Sequence, residues 1–117
     1  MTSQENHPPP FEIDCASTSE ILNSENNNVL LLDCREQNEF DHVNIEGATL
    51  LPMSEIQQRI SELEEHRERE IIVYCHHGMR SLNVAQWMRQ QGFNKVQSMS
   101  GGIDQWALKI DPSLVRY

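Results

Sequence analysis

Positive charge is what this chain has least of. Nine Lys and Arg stand against eighteen Asp and Glu, which leaves a net charge of −9 and a pI near 4.9. So acidic a chain repels polyanions, which argues against a nucleic-acid or an anionic-membrane partner. An anionic ligand would have to be captured by a local positive site. Long apolar runs are also missing, since no stretch approaches the ~18 consecutive apolar residues that a membrane span needs. The N-terminus carries no apolar core of signal-peptide length, and cysteine is scarce and odd in number, at Cys15, Cys34 and Cys75. Together these features read as a cytoplasmic protein with reduced thiols. No internal repeat is visible. A chain of 117 residues makes one domain, which buries roughly two-thirds of its unfolded surface around a single core.

The stretch from Glu70 to Ser81 is the densest in chemistry. Four apolar, β-favouring residues, Ile71 to Tyr74, run into Cys75, then into a short loop with Gly78, then into an amphipathic stretch from Ser81. That order predicts strand, loop and helix. A cysteine at the carboxyl end of a buried parallel strand lies where open α/β sheets place their ligands, and it faces the positive end of a helix dipole. An unperturbed thiol pKa of roughly 8.5 leaves only about 3% thiolate at neutral pH, whereas a helix N-terminus with nearby Arg or His⁺ lowers it to about 3.5–7.5. The short loop can also turn several backbone N–H groups toward the sulfur as an anion nest. The competing reading makes Cys75 a small buried hydrophobe. A mere strand end, however, does not call for His76, His77, Gly78 and Arg80 within five residues of a sulfur.

The rest of the chain supplies the frame. Residues 1–10 are polar and end in three prolines, a flexible lead before a domain over 11–117. Phe11 to Cys15 predicts a first strand with Cys15 packed inward, and Ser17-x-x-Glu20 a capping box that starts a short helix. Val29 to Arg35, apolar until its closing charges, has the pattern of a central parallel strand buried on both faces. Thr49 to Met53 predicts a third strand. Ser54-x-x-Gln57 is a second capping box, and Ile56, Ile60 and Leu63 mark one helical face. The helix after the cysteine loop runs to Gln91 with Gly92 as its C′ residue, and Lys95 to Met99 makes a fifth strand. Strands alternating with helices predict a three-layer α/β domain, a mainly parallel five-stranded sheet with helices on both faces. Asp33 and Cys75 should emerge together at its carboxyl edge.

The spacing Cys75-x-x-x-x-Arg80, in the form Cys-His-His-Gly-Met-Arg-Ser, resembles the active-site loop of the rhodanese (sulfurtransferase) family, especially its single-domain thiosulfate sulfurtransferases. Three further stretches extend the resemblance: Asp33-x-Arg35 with Glu39-Phe40, Asn44-Ile-Glu-Gly-Ala48, and Gly101-Gly102-Ile-Asp-Gln-Trp106. Asn44 stands where the family usually has a structural histidine. The tail from Asp111 to Tyr117 resembles that of rhodanese domains fused to molybdopterin-type sulfurylating proteins. The resemblance implies a Cys75 persulfide intermediate that needs no cofactor and no metal. It implies a substrate-binding set of His76, His77, Gly78, Met79, Arg80 and Ser81. In that set Arg80 would hold the sulfonate of thiosulfate and lower the thiol pKa, the imidazoles would line the rim, and the amides of Gly78 and Met79 would stabilise the persulfide. Asp33 and Arg35 would support the site without doing chemistry. Partners would be a small-molecule sulfur donor and acceptor, or a sulfur-carrier protein. Three alternatives stand beside this. A Cys-dependent phosphatase spaces its loop Cys-x5-Arg, one residue longer than here. A metal site would draw on Cys75, His76 and His77. A non-catalytic rhodanese-like module is disfavoured by the retained cysteine.

Overall fold

The computed structural model describes residues 8–117. Five strands, β1 (Glu12–Ile13), β2 (Leu30–Asp33), β3 (Thr49–Leu50), β4 (Ile71–Tyr74) and β5 (Val96–Met99), form one sheet in the order β1-β5-β4-β2-β3. Every pairing is parallel. The central strands β2 and β4 are buried along their whole length. Their side chains alternate between two cores, as the strand period of two requires. Leu30, Leu32, Cys34, Ile71, Val73 and Cys75 pack on one face with α3 (Ile56–Arg59) and α4 (Met79–Gln90). Leu31, Ile72 and Tyr74 pack on the other with Cys15 of α1 (Cys15–Asn23) and Ile103 and Trp106 of α5 (Gly102–Lys109). This is the expected three-layer α/β architecture. Between β2 and β3 lies α2 (Gln37–His42). Among the described residues no helix is long and apolar enough to cross a membrane.

Local departures from the sequence reading have identifiable causes. The first strand is only two residues long because Asp14 ends it as the N-cap of α1, accepting from the Ser17 amide at 2.8 Å. Cys15 is therefore the first residue of a helix, buried as expected. The third strand stops at Leu50, although the Leu51 and Met53 amides still bond the carbonyls of Asp33 and Cys34 at 2.9 Å; Pro52, between them, has no N–H to give. The helix expected from Ser54 is short, four residues of α3 followed by a 3-10 segment, Ile60–His66. Ser54 does not cap it, because its hydroxyl donates to Glu36 at 2.8 Å. Helix α4 ends as predicted. Gly92 has φ +96°, the Gly92 amide reaches the Arg89 carbonyl and the Phe93 amide that of Met88, both at 3.1 Å. The lead expected over residues 1–10 lies outside the described residues as far as residue 7. The Pro10 carbonyl is tied down by Arg89 and Gln97.

Candidate active site

The parallel register puts Asp33 opposite Tyr74, so the next residues on the two central strands, Cys34 and Cys75, emerge side by side at the carboxyl edge. Both are free thiols packed in the same core. Cys75 is 1% exposed, and its sulfur sits in a small nest. The Gly78 amide donates to it at 3.1 Å and the Ser81 amide at 3.3 Å, with the Ser81 hydroxyl 3.4 Å away. The Ser81 hydroxyl also lies 2.7 Å from that of Ser98 on β5, which braces it from below. Hydrogen bonding from the Cys34 thiol, then from the Ser81 hydroxyl and the two amides, outweighs burial and brings the Cys75 thiol down to about 5. The Cys34 thiol moves the other way, pushed far up by its bond to Cys75 and by burial. The two neighbouring thiols thus shift in opposite directions, Cys75 toward the thiolate and Cys34 away from it.

Two glycines make the nest possible. Gly78, the N-cap of α4, has φ +108°, and a Cβ there would come within 3.2 Å of the Gly101 amide. At Gly102, φ +61°, a Cβ would run into the carbonyls of Cys75 and His76. The close approach lets the first amides of α5 hold the loop, Ile103 N–H to the Cys75 carbonyl at 2.9 Å and Asp104 N–H to the His76 carbonyl at 3.1 Å.

The predicted site residues divide at this point. Ser81 and Gly78 contact the sulfur, but the second amide of the nest belongs to Ser81 where Met79 was expected. Residue 79 opens the helix, and the turn aims the N–H two positions later at the sulfur; the Met79 side chain is 70% exposed. Neither imidazole is among the hydrogen-bond partners of the sulfur. His76 instead stacks on Tyr117, with ring centroids 3.8 Å apart and planes 6° off parallel, and its other side lies 3.8 Å from the His77 ring. Its Nε2 is buried without a partner, and burial followed by the neighbouring His77 lowers its pKa. Arg80 departs most from expectation. Both of its terminal nitrogens bond Glu39 on α2, at 2.7 and 2.9 Å, which holds the Glu39 carboxyl down at about 2. Arg80 is close enough to feel the charge on Cys75, but its guanidinium faces a carboxylate, and the hydrogen bonds on the sulfur come from other groups.

Asp33 and Arg35 form a fully buried ion pair at 2.7 Å. Arg35 also donates to the Val43 carbonyl at 2.6 Å and the Tyr117 hydroxyl at 2.8 Å, which ties α2 and the tail to the sheet edge. Asn44 donates to the Phe40 carbonyl at 2.9 Å, a structural bond. Three residues around the cysteine had no assigned role in the sequence: Cys34, Glu39 and Tyr117. The signal for Cys34 was available, since Leu30–Asp33 and Ile71–Tyr74 are four-residue strands that are each followed by a cysteine once Asp33 and Tyr74 are aligned. Tyr117 had none, because its place depends on the path of the tail. Among the described residues no three His, Cys, Asp or Glu side chains converge so as to hold a metal ion.

A five-stranded parallel α/β domain with a cysteine nest at its carboxyl edge defines a class, and comparison with known proteins names the family. The family model described as "Rhodanese-like domain" matches residues 18–109. The chain belongs to that family. It is 38% identical over 96 residues to a sulfurtransferase of Allochromatium vinosum, covering 82% of this chain and 87% of that one. With the thiosulfate sulfurtransferase GlpE of Coxiella burnetii it shares 33% identity over 78 residues, covering 67% and 71%. A chloroplastic rhodanese-like/PpiC domain protein of Arabidopsis thaliana is 34% identical over 89 residues, 74% of this chain, but the chain spans only 30% of that relative's length. Among solved structures, a rhodanese-related protein of Thermoplasma volcanium superposes with a TM-score of 0.77 at 28% identity, covering 92% of this chain and all of that one.

Proposed function

We propose that the protein is a sulfurtransferase that carries sulfane sulfur on Cys75. The observation that supports this most is the sulfur itself, held low in pKa by amide and hydroxyl donors at the end of β4. In the first half-reaction the Cys75 thiolate attacks the outer sulfur of thiosulfate or of a persulfide R–S–SH. A Cys75–S bond forms, the donor S–S bond breaks, and its electron pair leaves with sulfite or R–S⁻. In the second, a thiol or cyanide attacks the outer sulfur and the Cys75 thiolate returns as the leaving group. The Gly78 and Ser81 amides and the Ser81 hydroxyl stabilise the charge on sulfur in both states. Asp33 and Arg35 hold the edge rigid, and His76 and His77 form the rim. The chemistry needs no cofactor, and reduced thiols suit a cytoplasmic setting.

Relay to a sulfur-carrier protein is a second reading, favoured by the exposed Met79 beside the buried sulfur. Mass spectrometry tests the proposal. The protein is treated separately with thiosulfate and with a cysteine desulfurase plus cysteine, and one added sulfur mapping to Cys75 is expected from at least one donor. No added sulfur from either would overturn the proposal.

A further inference from the structure

The one cation in the Cys75 loop is already neutralised. Arg80 gives both terminal nitrogens to Glu39, and the Tyr117 hydroxyl donates to the same carboxylate at 2.8 Å while accepting from Arg35. The Tyr117 ring lies flat on His76, next to the cysteine in sequence. We propose that Glu39, held in place by Tyr117, sets which sulfur donor this site accepts, turning it away from thiosulfate and toward persulfides borne on a carbon chain.

This selectivity, which rests on the sulfur-transfer reading of Cys75, is decided by the group beyond the transferred sulfur. Thiosulfate brings a sulfonate there and releases sulfite as a dianion: Cys75–S⁻ plus S–SO3²⁻ gives Cys75–S–S⁻ plus SO3²⁻. Both species call for a cation facing the sulfur. Arg35 is committed to Asp33, to the Val43 carbonyl and to Tyr117. Burial disfavours a charge on His76. Arg80 meets a carboxylate whose side chain is only 17% exposed, so water screens that charge incompletely. A sulfonate would have to displace Glu39 or sit beside it. A persulfide places an uncharged C–S group in the same space and releases a monoanion there in place of a dianion: Cys75–S⁻ plus R–S–SH gives Cys75–S–SH plus R–S⁻. The net charge of −9 adds to the bias against a compact dianion.

Glu39 acts here through Arg80, and Tyr117 through Glu39, so both are positioning residues. The test compares steady-state sulfur transfer from sodium thiosulfate and from cysteine persulfide in the full chain. Glu39→Gln keeps an acceptor for Arg80 and for the phenol while removing the charge. It should raise the ratio of thiosulfate to persulfide kcat/KM by at least about tenfold, mainly through a lower thiosulfate KM. Tyr117→Phe keeps the stack on His76 and loses the hydroxyl bonds, and it should move the ratio the same way by about threefold. A merely structural role for Glu39 would lower both efficiencies together and leave the ratio as in the wild type. That result, or a ratio in either variant that falls, overturns the inference. If neither donor loads Cys75 in the wild type, the sulfur-transfer reading itself fails, which is a separate outcome.

Discussion

Cys34 and Cys75 stand next to each other at the ends of the two central strands, one residue beyond the Asp33–Tyr74 pair, and their thiols shift in opposite directions, Cys75 down and Cys34 up. Cys34 is the first contributor to the low pKa of its neighbour. Cys34→Val removes the thiol and adds about one methyl group to the core. A hydrogen bond worth about 0.5–1.5 kcal/mol corresponds to roughly 0.4–1 pKa unit, so the Cys75 pKa should rise by that amount. Cys34→Ser, which keeps a donor, should rise less. The pH dependence of Cys75 alkylation by iodoacetamide measures both, and an unchanged midpoint in Cys34→Val would remove Cys34 from the account.

The pH profile of the wild type follows from the same shift. Cys75 falls from the ordinary 9.0 to about 5, so alkylation should reach half its plateau near that pH and be flat at neutrality. A depressed folded pKa stabilises the fold fully above the unfolded value and ceases to do so as pH falls through the folded one. The contribution is therefore complete above pH 9.0, declines between 9.0 and about 5, and is absent below. Cys34, shifted upward, stays protonated in the fold across this window, and in the unfolded chain it begins to ionise only toward the top of it. Urea unfolding of wild type and Cys75→Ser at a series of pH values should show a stability difference that grows with pH across it. A parallel pair of curves would mean that Cys75 titrates alike in both states.

The glycines beside the nest give a prediction that separates backbone strain from collision. Gly47 and Gly102 both have positive φ, but a Cβ at Gly47 meets nothing within 4 Å, whereas at Gly102 it strikes the carbonyls of Cys75 and His76. Gly47→Ala should cost only the left-handed strain, about 1–2 kcal/mol. Gly102→Ala should cost more than that and slow Cys75 alkylation at neutral pH, because the loop that aims the Gly78 and Ser81 amides must move. Equal losses of stability with equal alkylation rates would show that the contact between α5 and the loop does not shape the site.

Much of this was legible in local pattern. The runs Leu30–Asp33 and Ile71–Tyr74 are apolar enough to be read as central strands, and Gly92 marks the end of α4 through a position only glycine adopts easily. The cysteine, its nest and Ser81 follow from strand, loop and helix being consecutive in sequence. Legibility fails where a partner comes from far along the chain. The family resemblance points Arg80 at the substrate, and no local pattern reveals that its partner is Glu39, 41 residues away. Tyr117 reaches Glu39 across 78 residues, through a tail with no periodicity to reveal its path. The third strand and the helix after it were overdrawn because Pro52 and the Ser54–Glu36 bond override local propensity.

The most direct test of Cys75 as the sulfur carrier is thiosulfate:cyanide and persulfide:cyanide transfer in the three cysteine variants, with circular dichroism confirming each fold. Cys75→Ser should fold and lose essentially all transfer from both donors, since a hydroxyl cannot hold a persulfide, whereas Cys15→Ser and Cys34→Ser should retain it. Transfer by Cys75→Ser at the wild-type rate, or its loss in a folded Cys15→Ser, would contradict the account.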